Sequence, residues 1–282
     1  MVKKVLYVLA LTGCLGFIVY TLHEHGVPKD RTALAELGSS MGIPALFFSF
    51  LVGFPFFTRK KGDEEEIIKY TLDRCSEFYN KISPTYDERN TKYLIDSHLI
   101  VTEKISELLS SRGELGVLDL GGGTGRTIAT HFYHQKNVTW TYVDASSQMK
   151  AQFELNARNS KFNSACKLSD INDFLRRDEN KYDVVILSFV LTSMTQELDY
   201  EKLANKINDG GLIIIADIEP EYTAKKPDYE VSVDGTKYSM TMKPVNALEL
   251  VERFQKVDRH LKYCKSVKKQ DQKRYSYVLT FK

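Results

Sequence analysis

Hydrophobic and polar positions divide the chain into two regimes. Near the start, two apolar runs carry no charged residue: VLYVLALTGCLGFIVYTL over 5–22 and MGIPALFFSFLVGFPFF over 41–57. Neither shows a polar face, so neither reads as an amphipathic helix packed on a soluble core. The first is long enough to cross a bilayer core of ~30 Å, and the second lies at the short end of that range, broken by Pro44 and Pro55.

Farther along, short apolar runs alternate with amphipathic ones. VLDL (117–120) and VTWTYVDAS (138–146) read as strands, ACKLSDINDF (165–174) supplies a third short one, YDVVILSFVLTSM (182–194) is a fourth and GGLIIIADIEP (210–220) a fifth after a Gly-Gly turn. RTIATHFY (126–133), SSQMKAQFELNARN (146–159) and DYEKLANKIND (199–209) read as helices between them. Strands alternating with helices predict an α/β fold with a doubly wound, parallel sheet. Apolar residues at helical spacing from Leu94 onward predict a helix laid on the sheet edge. DYEVSVDGTKYSMTMKP (228–244) alternates on both sides of Asp234-Gly235, which predicts a β-hairpin with a tight turn.

Charge orients the apolar runs. Lys3 and Lys4 precede the first; Arg59, Lys60 and Lys61 follow the second; the loop between holds only Lys29 and Arg31. Positive flanks outside both segments predict a transmembrane helical hairpin with both ends, and the rest of the chain, on the cytoplasmic side. A cleaved signal peptide is disfavoured, because TLHEHG offers no small-x-small site. One span plus a re-entrant or interfacial second segment is the alternative. The composition changes sharply at TRKKGDEEE (58–66). We therefore divide the chain into a membrane anchor over 1–60, a charged linker or helix start over 61–77, and one large domain over 78–282.

Composition then excludes some partners. A formal net charge of +2 is too near neutral to argue for nucleic acid. Cys14, Cys75, Cys166 and Cys264 are scattered, with no C-x-x-C pair and no histidine cluster, so no metal site and no disulfide framework is expected.

The candidate chemistry starts at VLDLGGGTGRT (117–127). Glycines at a strand-to-helix turn let a ligand lie against bare backbone. Arg126 stands where a dinucleotide fingerprint needs glycine, and no phosphate-binding G-x-x-x-x-G-K-[ST] is present. The pattern is D-x-G-x-G-x-G, made by Asp119, Gly121, Gly123 and Gly125. Gly121 and Gly123 read as positions where a β-carbon would obstruct the ligand. Asp144 ends the second strand, at the distance where an acid meets a ribose in this architecture. The alternative for Asp144 is a helix N-cap, a task that Ser146 or Ser147 could also perform.

VLDLGGGTG, VDASSQM, SDI and YDVVILSFVLTSM, in this order, resemble the motifs of class I S-adenosylmethionine-dependent methyltransferases. The tail is similar too: ALELVERFQ as a helix, then DRHLKYCKSV and RYSYVLTFK as two strands in an antiparallel ending. The resemblance spans about residues 78–282 and implies a Rossmann-like, mostly parallel seven-stranded sheet that binds S-adenosylmethionine. By the same resemblance, Met149 lines the adenine, Asp170 and Ile171 meet its amino group and ring face, and Ser188 lies where the fourth strand opens toward the methyl group. Asp119 orients the loop or reaches the cofactor's ammonium through water. YDERN (86–90) resembles a segment of the quinone and small-molecule methyltransferases, which would bring Tyr86 to the methionine end; the other reading is an aromatic that packs a helix.

Methyl transfer to oxygen or carbon also needs a base. His98, Asp217, Glu219 and Tyr222 are the candidates, although a lone histidine on a helix is more often structural. The absence of an Asn/Asp-Pro-Pro-Tyr motif after the fourth strand disfavours exocyclic base amines and glutamine amides as acceptors. The hairpin is read either as a cap over the acceptor or as edge decoration. The expected function is transfer of a methyl group to a lipid, quinone or other hydrophobic small molecule, at a lipid bilayer. Two alternatives stay open: a membrane-associated protein as acceptor, or a non-catalytic assembly or regulatory factor that kept the fold.

Overall fold

A computed structural model describes residues 67–158, 162–268 and 274–282. The apolar segments at 5–22 and 41–57 lie outside the described residues. Among the described residues, no helix is long and apolar enough to cross a membrane.

The first described elements begin within the expected linker or helix start. Ile67–Tyr70 is a strand, β1, and a helix, α1 (Cys75–Ile82), begins only after it. The long helix α2 (Tyr86–Arg112) starts well before Leu94. Pro84 sits in the tight turn Ser83–Thr85 that redirects the chain, and Asp87 and Glu88 then face the positive end of the new helix. Gly113 ends it, donating its N–H to the Leu109 carbonyl at 2.8 Å.

The alternating region folds as its pattern predicts. Strands β2 (Leu115–Leu120), β3 (Val138–Asp144), β4 (Asn163–Leu168), β5 (Tyr182–Ser188) and β6 (Ile207–Ile218) are mutually parallel where they pair. Helices α3 (Ser147–Arg158), α4 (Ile171–Arg177) and α5 (Tyr200–Asn205) connect them. After β6 come α6 (Pro220–Lys225), strands β7 (Asp228–Val233) and β8 (Thr236–Thr241), and α7 (Ala247–Lys256). Strands β9 (Leu261–Lys268) and β10 (Arg274–Phe281) close the chain. The seven-stranded sheet runs β4-β3-β2-β5-β6-β10-β9, and β10 is antiparallel to both of its neighbours.

Alternation within the central strands builds two cores. Val117, Val184, Ile186 and Ile214 pack on one face with Val101 and Ile105 of α2. Leu118, Leu120, Val185, Leu187, Ile213 and Ile215 pack on the other with Leu203, Leu250 and Phe254. A strand buried on both sides needs an unbroken apolar run, which is why these strands are legible locally.

The helix expected over 126–133 does not form; only a 3-10 turn at Ala129–Phe132 does. Tertiary packing wins here: Phe132 stacks on Trp140, with ring centroids 5.7 Å apart, and Tyr133 packs on Phe162 at 4.7 Å. Thr127, Ile128 and Thr130 are β-branched and give a short helix little support of its own.

The hairpin forms with its turn at Asp234-Gly235, but not on the edge of the main sheet. With β1 it makes a separate three-stranded sheet, order β1-β8-β7, in which Ile67 pairs with Lys237 in parallel. Its inner face buries Tyr70, Val231, Val233 and Met240 against Phe78 and Ile82 of α1.

Candidate functional site

A cavity opens at the carboxyl ends of the parallel strands, where ligands bind in open α/β sheets. Tyr86, Gly121, Gly123, Asp144, Met149, Asp170 and Ile171 all line it. Three other expected residues do not. Ser188 is not part of its lining, and its hydroxyl is buried with no hydrogen-bond partner. Asp119 is 3% exposed beneath the loop, its Oδ2 2.8 Å from where a β-carbon on Gly122 would stand, and burial pushes its carboxyl up to about 7. Gly125 serves packing: a β-carbon there would meet the Phe153 ring at 2.3 Å, and its φ is +66°.

Close approach at Gly121 has an unexpected partner. A β-carbon there would come 2.4 Å from Val190 Cγ2, so the glycine makes room for the segment after β5. At Gly123 the nearest side-chain atom, Tyr86 Cε1, would lie 3.5 Å away.

Asp144 is held from two sides. Gly123 N–H donates to Oδ2 at 3.0 Å and Ser146 N–H donates to Oδ1 at 2.8 Å. The Ala145 N–H is a third donor, so the carboxylate, which can accept about four hydrogen bonds, keeps acceptor capacity. Burial nevertheless pushes its carboxyl up to about 6. Asp144 is not the N-cap of α3: Ser146 Oγ performs that task, accepting from Met149 N–H at 3.1 Å. Asp170 does cap α4, accepting from Asn172 N–H at 2.8 Å and Asp173 N–H at 3.3 Å, while still facing the cavity. The result is a carboxylate with acceptor capacity left between a glycine loop and the apolar walls of Met149 and Ile171, a donor set suited to a nucleoside.

A second, larger cavity adjoins the first, about 1240 Å³ against about 680 Å³ when each is counted to its open mouth. Its wall is aromatic and aliphatic, with Tyr79, Tyr86, Tyr222, Tyr229 and Tyr275 beside Leu94, Phe189, Ile218 and Met242. Lys226, Asp228 and Glu230 also line it. The last two, with Tyr229, come from β7, so the hairpin covers this cavity and is not edge decoration.

Of the four candidate bases only Tyr222 lines the second cavity. Its ring meets Tyr275 edge to face at 4.8 Å. His98 is 7% exposed and stands with its ring edge against Phe189, centroids 5.3 Å apart; burial pushes its imidazole down to about 4. Asp217 is fully buried and lies in neither cavity. It accepts from the N–H groups of Leu191 at 3.1 Å, Thr192 at 3.3 Å and Ile218 at 2.8 Å, anchoring the turn after β5. Glu219 accepts from the Ser266 hydroxyl at 2.9 Å, which ties the end of β6 to β9.

Reading the sequence missed Tyr79, Asn80, Phe189, Val190 and Tyr229. Tyr79 and Ser193 share a hydrogen bond of 2.8 Å across 114 positions. The one local signal was the amphipathic stretch CSEFYNKI (75–82), which becomes α1.

Residues 118–213 match a family model described as "Methyltransferase domain". No curated protein sequence matches the chain. Among solved structures, an S-adenosylmethionine-dependent methyltransferase from Clostridium acetobutylicum aligns with a TM-score of 0.53 and 15% identity, over 72% of this chain and 98% of that one. The 1,6-didemethyltoxoflavin-N1-methyltransferase of Burkholderia thailandensis, solved with 1,6-didemethyltoxoflavin and S-adenosylhomocysteine, gives 0.51 and 15%, over 73% and 85%. The [4+2]-cyclase SpnF gives 0.54 and 13%, over 77% and 98%. At these identities the likeness is one of fold. The family match covers β3, β4, β5 and the glycine loop.

Proposed function

We propose that this chain is a membrane-anchored methyltransferase whose acceptor is a lipid, a quinone or another hydrophobic small molecule. The second cavity carries the proposal. It adjoins the cofactor cavity, and its wall holds five tyrosines, a phenylalanine and three aliphatic or thioether side chains, with Thr192, Lys226, Asp228 and Glu230 as its polar part. Such a wall favours a large, mostly apolar guest.

When bound, S-adenosylmethionine supplies a methyl group made electrophilic by a positive sulfur. The residues of the first cavity suit its parts. Asp144 has acceptor capacity left for the ribose, Met149 and Ile171 form apolar walls for the adenine, and Asp170 stands beside them for its amino group. Tyr86 lines both cavities and so belongs to the methionine and methyl end. The chain's main task is then to align donor and acceptor and keep water out. Tyr222 is the candidate base that reaches the acceptor cavity.

The anchor rests on the two apolar segments at 5–22 and 41–57 and their basic flanks. The test is untargeted extraction of lipids and other hydrophobic metabolites from cells with and without the gene. A compound heavier by one methyl group, present only with the gene and absent with Asp144→Ala, supports the proposal. A methylated protein in place of a methylated small molecule would overturn it.

A further inference from the structure

Three side chains, Tyr79, Tyr86 and Phe189, line both cavities. They come from α1, from the first residue of α2 and from the turn after β5, so only the fold brings them together. Tyr79 and Tyr86 meet edge to face with ring centroids 6.0 Å apart and planes at 74°. Phe189 is held at φ +56°, in the left-handed region, with its N–H donating to the Ala216 carbonyl at 2.7 Å. Such a conformation costs a non-glycine residue about 1–3 kcal/mol and persists only where its surroundings enforce it. The buried His98 ring packs against the Phe189 ring at 88°, centroids 5.3 Å apart.

At the junction between the cavities, every shared side chain among the described residues is therefore aromatic. Any methyl group passing from cofactor to acceptor crosses that junction, and the sulfur that carries that methyl is positively charged. Both tyrosines lie deep enough that burial holds their phenols well above the usual tyrosine range, so neither brings a negative charge. No carboxylate among the described residues lines both cavities. Aromatic faces attract a cation without competing for the methyl group.

We propose that Tyr79, Tyr86 and Phe189 form an aromatic collar around the sulfonium of S-adenosylmethionine, and that this collar makes the site prefer the charged cofactor over its neutral demethylated product. The proposal rests on the assignment of the cofactor cavity and is independent of what the acceptor is. It also gives the strain at Phe189 a purpose, since a relaxed backbone there would withdraw one ring from the junction. Loss of the charge on methyl transfer weakens the hold of the collar and favours release of S-adenosylhomocysteine.

The test is calorimetric binding of S-adenosylmethionine and of S-adenosylhomocysteine to the full-length chain, wild type and variants. Relative to Tyr79→Phe, which lacks the same hydroxyl, Tyr79→Leu should weaken S-adenosylmethionine about tenfold while changing S-adenosylhomocysteine by less than about twofold, and Phe189→Leu should do the same relative to wild type, the scale of a partly desolvated cation–π contact. Tyr79→Phe keeps a ring and should keep the wild-type ratio. Leucine at 189 bears the same backbone strain as phenylalanine, and retained product affinity shows that a variant has folded. Two leucine variants on separate elements guard against one of them failing to fold. Equal weakening of both ligands, or weakening of neither, would overturn the collar.

Discussion

Asn80 accepts the Ser146 hydroxyl at 2.8 Å and the Gln148 N–H at 3.0 Å, which joins α1 to the head of α3 beside the cofactor cavity. Ser146 then passes the connection on through its own N–H to Asp144. One amide side chain on α1 thus braces the wall that carries Asp144. Its neighbour Tyr79 holds the opposite wall through Ser193. Replacing Asn80 by alanine should weaken S-adenosylmethionine binding about threefold to tenfold, the net worth of one or two such hydrogen bonds. Calorimetry reads it directly, and unchanged affinity would show that α1 does not brace the site.

Asp144 should make cofactor binding depend on pH. Burial raises its carboxyl to about 6, and a ribose hydroxyl donates best to the ionised form. Affinity for S-adenosylmethionine should therefore fall as pH drops from 8 through 6 to 5. Asp144→Ala should weaken binding by about 1.5–3 kcal/mol at pH 8, the scale of hydrogen bonds to a charged group. The variant should also flatten the pH profile. A flat profile in the wild-type chain would remove Asp144 from the ribose.

Stability of the unliganded chain should run the other way. Asp119 and Asp217 sit at about 7, and Asp144 at about 6, all raised by burial. An unfolded aspartate titrates at roughly 3.9. Between those values the folded chain holds protons that the unfolded chain has released, so these three groups lower stability as pH rises from about 4 to about 7. Asp217→Asn removes one of the three titrations and should give a shallower pH dependence. Denaturant midpoints at pH 5 and pH 8 compare the two chains. Parallel curves would mean that Asp217 carries no such shift.

The loop glycines should separate by cause. At Gly125, a positive φ and the Phe153 ring at 2.3 Å act together, so Gly125→Ala should cost about 2–4 kcal/mol of stability. At Gly123 the added carbon meets only Tyr86, at an ordinary 3.5 Å, so Gly123→Ala should cost about 1–2 kcal/mol, from its φ of +58°. Urea unfolding measures both. Equal losses would show that packing against Phe153 is not what requires glycine at 125.

Much of the α/β region could be read from the chain alone, because its signals are local. A strand buried on both faces declares itself as an apolar run, and the loop declares itself by its glycines. β1 was read as linker because Ile67–Tyr70 becomes a strand only by pairing with Lys237–Met240. The 126–133 segment was read as helix because its pattern says nothing of Trp140 and Phe162, the rings that hold it in a tighter path. Tyr79 and Phe189 carry no motif at all; each matters through partners from other elements.

Asp144 and Asp217 mark where sequence stops deciding. Each ends an apolar run, VTWTYVD or LIIIAD, and each looks in sequence like an acid presented at the end of a parallel strand. The chain by itself determined that both would sit at that end, because burying the run on both faces places whatever follows it there. Only the tertiary structure decided their use. Three backbone N–H groups, two of them from the turn after β5, converge on Asp217 in the protein interior, and the Thr192 hydroxyl adds a fourth donor. Asp144 receives N–H groups from Gly123, Ala145 and Ser146, keeps acceptor capacity and opens on a cavity. The difference lies in which distant segments fold against each carboxylate, and no local pattern encodes that.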